Sequence, residues 1–336
     1  MRLAGFSAMG DFWRVIREFN PEGIEREATA PLEIWVAGEP GSGRRTLVQS
    51  LMGDRDGAGP VGPFRVLDFD YQRPLPEDGK PDLVILVVRL DRDLADLGRR
   101  AAPLLVRGHY PLLLVFTRAD AVETTRELRN AAYRAFSFVS YLKTVFLDAR
   151  DAGQVRALVA PLMVESLPSL RTALARLVPG VRPLVSEQII SETCRVNAQF
   201  ALAANLPANL PILGGVAGTV AEIFVLTKNQ VMMVFRLAAI YGRDIALTAR
   251  VAAEIAPVIG GAFLWRTVAR TVVGILPSLL AIGPKTAIAY VGTYVVGHAA
   301  MYYYDEGRRP SPQLMKKFST DGSNIFHRRA MDETGA

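Results

Sequence analysis

Residues 34–47, IWVAGEPGSGRRTL, carry an apolar run into a glycine-rich turn and then into a helix-forming stretch. Gly38 and Gly43 keep the spacing of G-x-x-x-x-G-K-[ST], in which backbone N–H groups cradle phosphates, a Lys reaches the β/γ oxygens and a hydroxyl holds Mg2+. Two of the chemistry-bearing side chains differ. Arg44 stands where the Lys belongs and Arg45 where the Ser or Thr belongs. Arginine pairs with phosphate through a planar fork that is bulkier than an ammonium, so the exchange is not neutral. Thr46 offers a hydroxyl one position later, which turns it about 100° around a helix axis.

A phosphate loop needs partners from other strands. A GTP-hydrolysing domain would add a Thr-bearing switch, an Asp-x-x-Gly at a strand end and an [NT]-K-x-D at the end of a later strand. The last is recognisable in LLLVFTRAD, where Thr117, Arg118, Ala119 and Asp120 close an apolar run and keep the Asp that accepts hydrogen bonds from guanine. Asp148–Arg150, sequence DAR, stands where such domains carry a short turn against the base. The middle elements are poor. RVLDFDYQ offers Asp68 at a strand end, but Tyr71 occupies the Gly position, and Asp68 and Asp70 read more simply as polar strand-end residues than as metal ligands. Gly53–Pro63 is short for a switch and holds no Ser or Thr. Mg2+ ligation is therefore doubtful and efficient hydrolysis is not expected.

These residues imply elements to position them. Apolar runs over Leu32–Ala37, Phe64–Phe69, Leu83–Val88, Pro111–Phe116 and Thr144–Leu147 read as strands. Segments with helical periodicity separate them, as in LADLGRRAAPLLV and TTRELRNAAYRAF. Alternation of this kind predicts an α/β fold with a parallel sheet covered on both faces, binding its ligand beyond the carboxyl ends of the strands. Ahead of it, DFWRVIREF spaces Phe12, Val15, Ile16 and Phe19 on one face of a short docking helix, and IEREA continues as a second turn or helix.

After about residue 180 the alternation gives way to long apolar stretches broken by Gly and Pro, which predicts an all-α region. No charged residue lies between Arg195 and Glu222, nor from Thr286 to Tyr304. A spanning helix needs roughly 20 apolar residues. TAIAYVGTYVVGHAAMYYY just reaches that length and ends in a Tyr cluster suited to a bilayer interface. A soluble bundle with helices apolar all round is the competing reading, and the recurring arginines keep it open. Glu222 reads as a helix-end residue facing Lys228 or water, His298 as packed or interfacial, and Cys194 as a small buried apolar residue. Past Asp305 the polar, mixed-charge composition predicts a disordered tail. The organisation expected is thus an amphipathic segment over 1–30, a phosphate-loop domain over 31–165, a hydrophobic helical domain over 180–305 and a tail over 306–336.

Composition bounds the rest. The chain has 336 residues, half of them hydrophobic and 21% charged, with positive mean hydropathy. Two domains fit that length. The net charge of +6 is spread out, without the run of like charges that would indicate a nucleic-acid tail, so no nucleic-acid partner is expected. One cysteine excludes an internal disulfide framework, and the N-terminus does not read as a secretory signal, which points to the cytoplasmic side. No nucleophile–base pair, zinc set or paired-carboxylate site is recognisable.

The motifs resemble the bacterial GTPase-like proteins of the Era/TrmE superfamily that carry a C-terminal YcjF-like domain. The resemblance rests on FWRVIREFNPEGIEREA leading into GEPGSGRRTL, on TRAD, and on ANLPILGGVAGTVAEIFVLTKNQVMMVFRLAAIYG and the later GHAAMYYYDEG. It implies a membrane-associated, GTP-binding class at the cytoplasmic face of the bacterial inner membrane, with GTP or GDP and membrane lipid as partners. Carried over by position, Gly38, Gly41, Ser42 and Gly43 would hold phosphates, with Arg44 in place of the Lys. Arg45 would lie beside them, Thr46 would supply a displaced hydroxyl, and Thr117, Arg118 and Asp120 would form the guanine side. The expected activity is guanine-nucleotide binding with weak or absent hydrolysis; a non-catalytic pseudo-GTPase scaffold at the membrane is the alternative, and a transport role for the glycine-rich helices is a weaker third.

Overall fold

The computed structural model describes residues 20–53, 62–76, 78–106, 111–119, 125–137, 143–203, 219–245, 253 and 284–334. The chain divides into two compact units, Glu27–Val185 and a second formed by Ser186–Ala336 with Met1–Arg26. The docking helix expected near residues 11–19 lies outside the described residues. The first described helix is Glu22–Thr29 (α1), begun by the Asn20 side chain accepting from the Glu22 N–H at 2.9 Å.

The first unit is built on five strands, Ile34–Gly38 (β1), Phe64–Asp68 (β2), Leu83–Arg89 (β3), Leu112–Thr117 (β4) and Lys143–Phe146 (β5). All pairs are parallel, in the order β2-β1-β3-β4-β5. The fold class expected from the sequence is the one observed, with strand limits shifted by one or two residues. Every residue of β1 and β4 is buried, which is why their sequences are continuously apolar rather than alternating. Alternation appears instead in which layer each side chain joins. Trp35, Val84, Leu86, Leu114 and Phe116 share one core with the helices Leu94–Val106 (α3) and Arg126–Ala135 (α4). The intervening strand residues face the other way, the side left for Arg44–Met52 (α2) and Ala152–Ser166 (α5), which pack on each other. Caps set the helix starts: Thr125 accepts from the Leu128 N–H at 3.2 Å and Asp151 from the Gln154 N–H at 3.0 Å. A short 3₁₀ turn, Pro168–Leu170, and Arg171–Leu177 (α6) complete the unit, and the Gly180 N–H caps the Leu51 carbonyl at 2.7 Å.

In the second unit all described secondary structure is helical: α7 (Arg182–Ala203, inside this unit from Ser186), α8 (Thr219–Ile240), α9 (Pro284–Glu306) and α10 (Pro312–Thr334). A buried polar chain joins three of them. Asn229 donates to Asn197 Oδ1 at 2.8 Å, Asn197 and Gln230 donate to Thr293 Oγ1 at 2.8 and 3.1 Å, and Thr293 donates to the Ala289 carbonyl. His298 sits between the Glu187 carboxylate, 2.9 Å from Nε2, and the Tyr294 carbonyl, 3.0 Å from Nδ1, with its ring stacked on Tyr294. Cys194 is fully buried, which pushes its thiol pKa up.

Two expectations need correction here. The stretch Thr286–Tyr304 forms α9, yet among the described residues no helix is long and apolar enough to cross a membrane. Thr293 and His298 interrupt its apolar run, and both are engaged by neighbouring helices of this unit. Within the tail expected over 306–336, Pro312–Thr334 form α10 rather than disordered chain. Ser311 and Pro312 start it, with Ser311 Oγ accepting from the Leu314 N–H at 3.2 Å. Met315, Ser319, Ser323 and Phe326 are buried along it, Phe326 lies 5.2 Å from the Tyr290 ring, and Gly322 lets Tyr294 lie against the helix. Glu222 falls in α8, but its side chain lies outside the described residues.

Candidate functional site

The sheet register brings the chemistry-bearing residues to one edge. Gly38 ends β1 opposite Asp68 of β2 and Val87 of β3, and Arg89 of β3 is opposite Thr117 of β4. All lie at or next to the carboxyl ends of their strands, where parallel sheets bind ligands. Gly38 has φ 156, and a β-carbon there would come 2.3 Å from the Val87 carbonyl oxygen and 2.9 Å from Ser42 Oγ. No other residue fits without moving the backbone. Gly43 has φ 93 and begins α2, where a side chain would press on Ala149. Between them the Ser42 N–H returns to the Glu39 carbonyl at 3.0 Å, closing the turn. No side chain caps α2 and no acidic residue lies in its first turn. Its first N–H groups and the positive end of its dipole therefore face the loop without a built-in acceptor. Ser42 is 2% exposed, and its hydroxyl has no hydrogen-bond partner among the described residues.

The two arginines behave differently. Arg45 is exposed. Arg44 is 8% exposed, and its guanidinium is held by β2, Nη1 donating to the Leu67 carbonyl and Nη2 lying 2.5 Å from Asp68 Oδ1. The residues do not fit the Mg2+ that such loops employ. The hydroxyl position is taken by Arg45, and Asp68 is already engaged by a guanidinium.

The other side of the site is tied to the loop. Thr117, 1% exposed, donates from Oγ1 to the Ser42 carbonyl at 2.8 Å. The Leu147 N–H donates to the Phe116 carbonyl at 2.9 Å, and Ser50 donates to the Ala149 carbonyl at 3.2 Å. The glycine loop, the Thr117–Ala119 segment and the Asp148–Arg150 turn are thereby one cluster, as their order in the sequence suggests. Burial alone would raise Asp148, but the Arg150 N–H and guanidinium hold its carboxyl below the usual range. Arg118 takes φ 67, a left-handed conformation rare outside glycine, and its Nε lies 3.9 Å from Asp91 Oδ2. Asp120 lies outside the described residues.

Two features were not anticipated. Arg89 forks onto Asp91 at 2.8 and 2.6 Å, and that hydrogen bonding holds the Asp91 carboxyl below its usual range; a position-89 side chain also lies within reach of Gly41. An Arg-x-Asp directly after an apolar strand was the available signal. Tyr71, noted only as a departure from glycine, keeps the left-handed backbone with φ 58. Its ring is 2% exposed, 4.7 Å from Phe69 and in one core with Leu90, Leu94 and Leu97. Burial pushes its hydroxyl pKa up. Nothing in the local sequence foretold an aromatic anchor at a hinge position.

No family model matches the sequence, and no curated protein matches it. Among solved structures the chain is similar to an ADP-ribosylation-factor-like GTP-binding protein, the small COPII coat GTPase Sar1 from Encephalitozoon cuniculi, in complex with GDP. The match has 13% identity, covers 50% of this chain and 87% of that one, and has a TM-score of 0.30.

Proposed function

We propose that the sheet unit binds a guanine nucleotide in the loop between β1 and α2 and hydrolyses it weakly or not at all. The observation that carries this reading is the Thr117 Oγ1 bond to the Ser42 carbonyl, 2.8 Å, which joins a phosphate loop to a segment continuing into Asp120. The loop supplies uncapped N–H groups for phosphate, and Asp120 stands in the sequence where the guanine-accepting Asp of such domains stands. The resemblance to the Era/TrmE superfamily with a YcjF-like domain agrees with the assignment. Saturating GDP or GTP should raise the melting temperature of the sheet unit, measured in the full chain, by about 5–10 °C at a ligand concentration about 100 times Kd. ATP should do less, and Asp120→Ala should abolish the preference. No shift with any guanine nucleotide defeats the proposal.

Absence of turnover, and hence the scaffold reading, is favoured by a specific pair of observations. Arg44 is committed to Asp68, and Tyr71 is buried where a glycine hinge would let a switch move. GTP should remain intact in single-turnover assays; phosphate release faster than that of Gly43→Val contradicts this. We infer further that the helical unit associates with membrane lipid at the cytoplasmic face of the bacterial inner membrane. The hydrophobic half of the composition and the same family resemblance support it. Co-sedimentation of the full chain with liposomes of bacterial inner-membrane lipid is the check, and protein that stays wholly in the supernatant counts against association.

A further inference from the structure

We propose that Arg44, held against Asp68, supplies positive charge at the loop in place of a divalent cation, so that the loop accepts a guanosine di- or triphosphate without magnesium. This rests on the nucleotide reading above and adds what neutralises the phosphates. The register sets Asp68 beside Gly38, at the lip of the loop. A carboxylate in that position ordinarily repels phosphate or holds a metal between itself and the ligand. Here a nearly buried guanidinium already lies against it, 2.5 Å from Oδ1, and is anchored a second time on the Leu67 carbonyl. A metal ion seated at Asp68 would have to displace a fixed positive charge or sit against it. A phosphate has no such conflict, because a guanidinium carries five N–H donors and two acceptors on β2 leave donors unused.

Two independent features point to an anion as the expected guest. The start of α2 is uncapped, with no acidic residue in its first turn. Ser42 Oγ, on a residue 2% exposed, lies within the loop beside Gly38 and has no partner among the described residues, although buried hydroxyls are ordinarily satisfied. Both supply donors to a ligand at the same turn. Neither adds a free carboxylate for magnesium, since Asp68 is already engaged by Arg44.

Arg44 is too deeply placed for its removal to give a clean test. The Asp68 side chain is 79% exposed, so Asp68→Asn should fold. The full chain is titrated with a fluorescent GDP analogue, once with EDTA and once with excess MgCl2. The wild type should bind equally well in both buffers. Asp68→Asn, which removes a negative charge beside the phosphates, should bind about fivefold tighter in each, the scale of an exposed charge pair. Binding confined to the magnesium buffer, or Asp68→Asn weakening binding there, overturns this inference and leaves nucleotide binding standing. No binding in either buffer overturns both.

Discussion

Gly38 has the Val87 carbonyl so close that even a methyl group would collide with it. Gly38→Ala should cost about 2–3 kcal/mol of stability, the range for overpacking and backbone strain, and denaturant unfolding of the full chain is the check. Tyr71 predicts the opposite sign. Its hydroxyl is buried and unpartnered among the described residues, so Tyr71→Phe should leave stability unchanged or raise it by about 1 kcal/mol, because an unmet polar group is removed while the ring stays packed. A loss of more than that would mean the hydroxyl is satisfied. The two residues also mark what was legible. Gly38 and Gly43 announced themselves by spacing, because phosphate loops need backbone conformations only glycine reaches. The turn of Arg44 towards Asp68 did not, since the two are 24 positions apart and meet only through the pairing of β1 with β2.

At the scale of elements, the Thr117–Ser42 bond joins the end of β4 to the turn before α2. Thr117→Val keeps the shape and removes the donor; it should destabilise the sheet unit by about 1 kcal/mol and weaken nucleotide binding more than an equally destabilising core change does. The end of β3 carries a pH signature. Hydrogen bonding from Arg89 lowers the folded pKa of Asp91, so the stability this pair contributes is full above the unfolded carboxylate value near pH ~3.9 and is lost as pH falls through the lower folded value. Between those values Asp91→Asn should lose less stability on acidification than the wild type does, as read from denaturant midpoints, the lowered Asp148 contributing equally to both. Strands and their order along the chain were readable because each is apolar throughout, a pattern that buried parallel sheets impose. Helix α10 was not, because its composition is polar; the Ser311–Pro312 start and the small residues that admit Tyr294 were the signals, and they matter only once α9 is there to pack on.

The whole molecule pairs a sheet unit with a helical unit of different chemistry. In the helical unit, specificity resides in the polar chain through Asn197 and Thr293. Asn197→Ala leaves Thr293 short of a donor and Asn229 of an acceptor, and should destabilise by about 2–3 kcal/mol; calorimetric melting of the full chain checks it. The central claim concerns the other unit, and isothermal titration of the full chain with GDP and with ADP tests it most directly. GDP should give saturable heat, ADP weaker or no heat, and Gly43→Val should lose the GDP signal with the fold intact by circular dichroism. The absence of heat with GDP, or equal affinity for GDP and ADP, would contradict it.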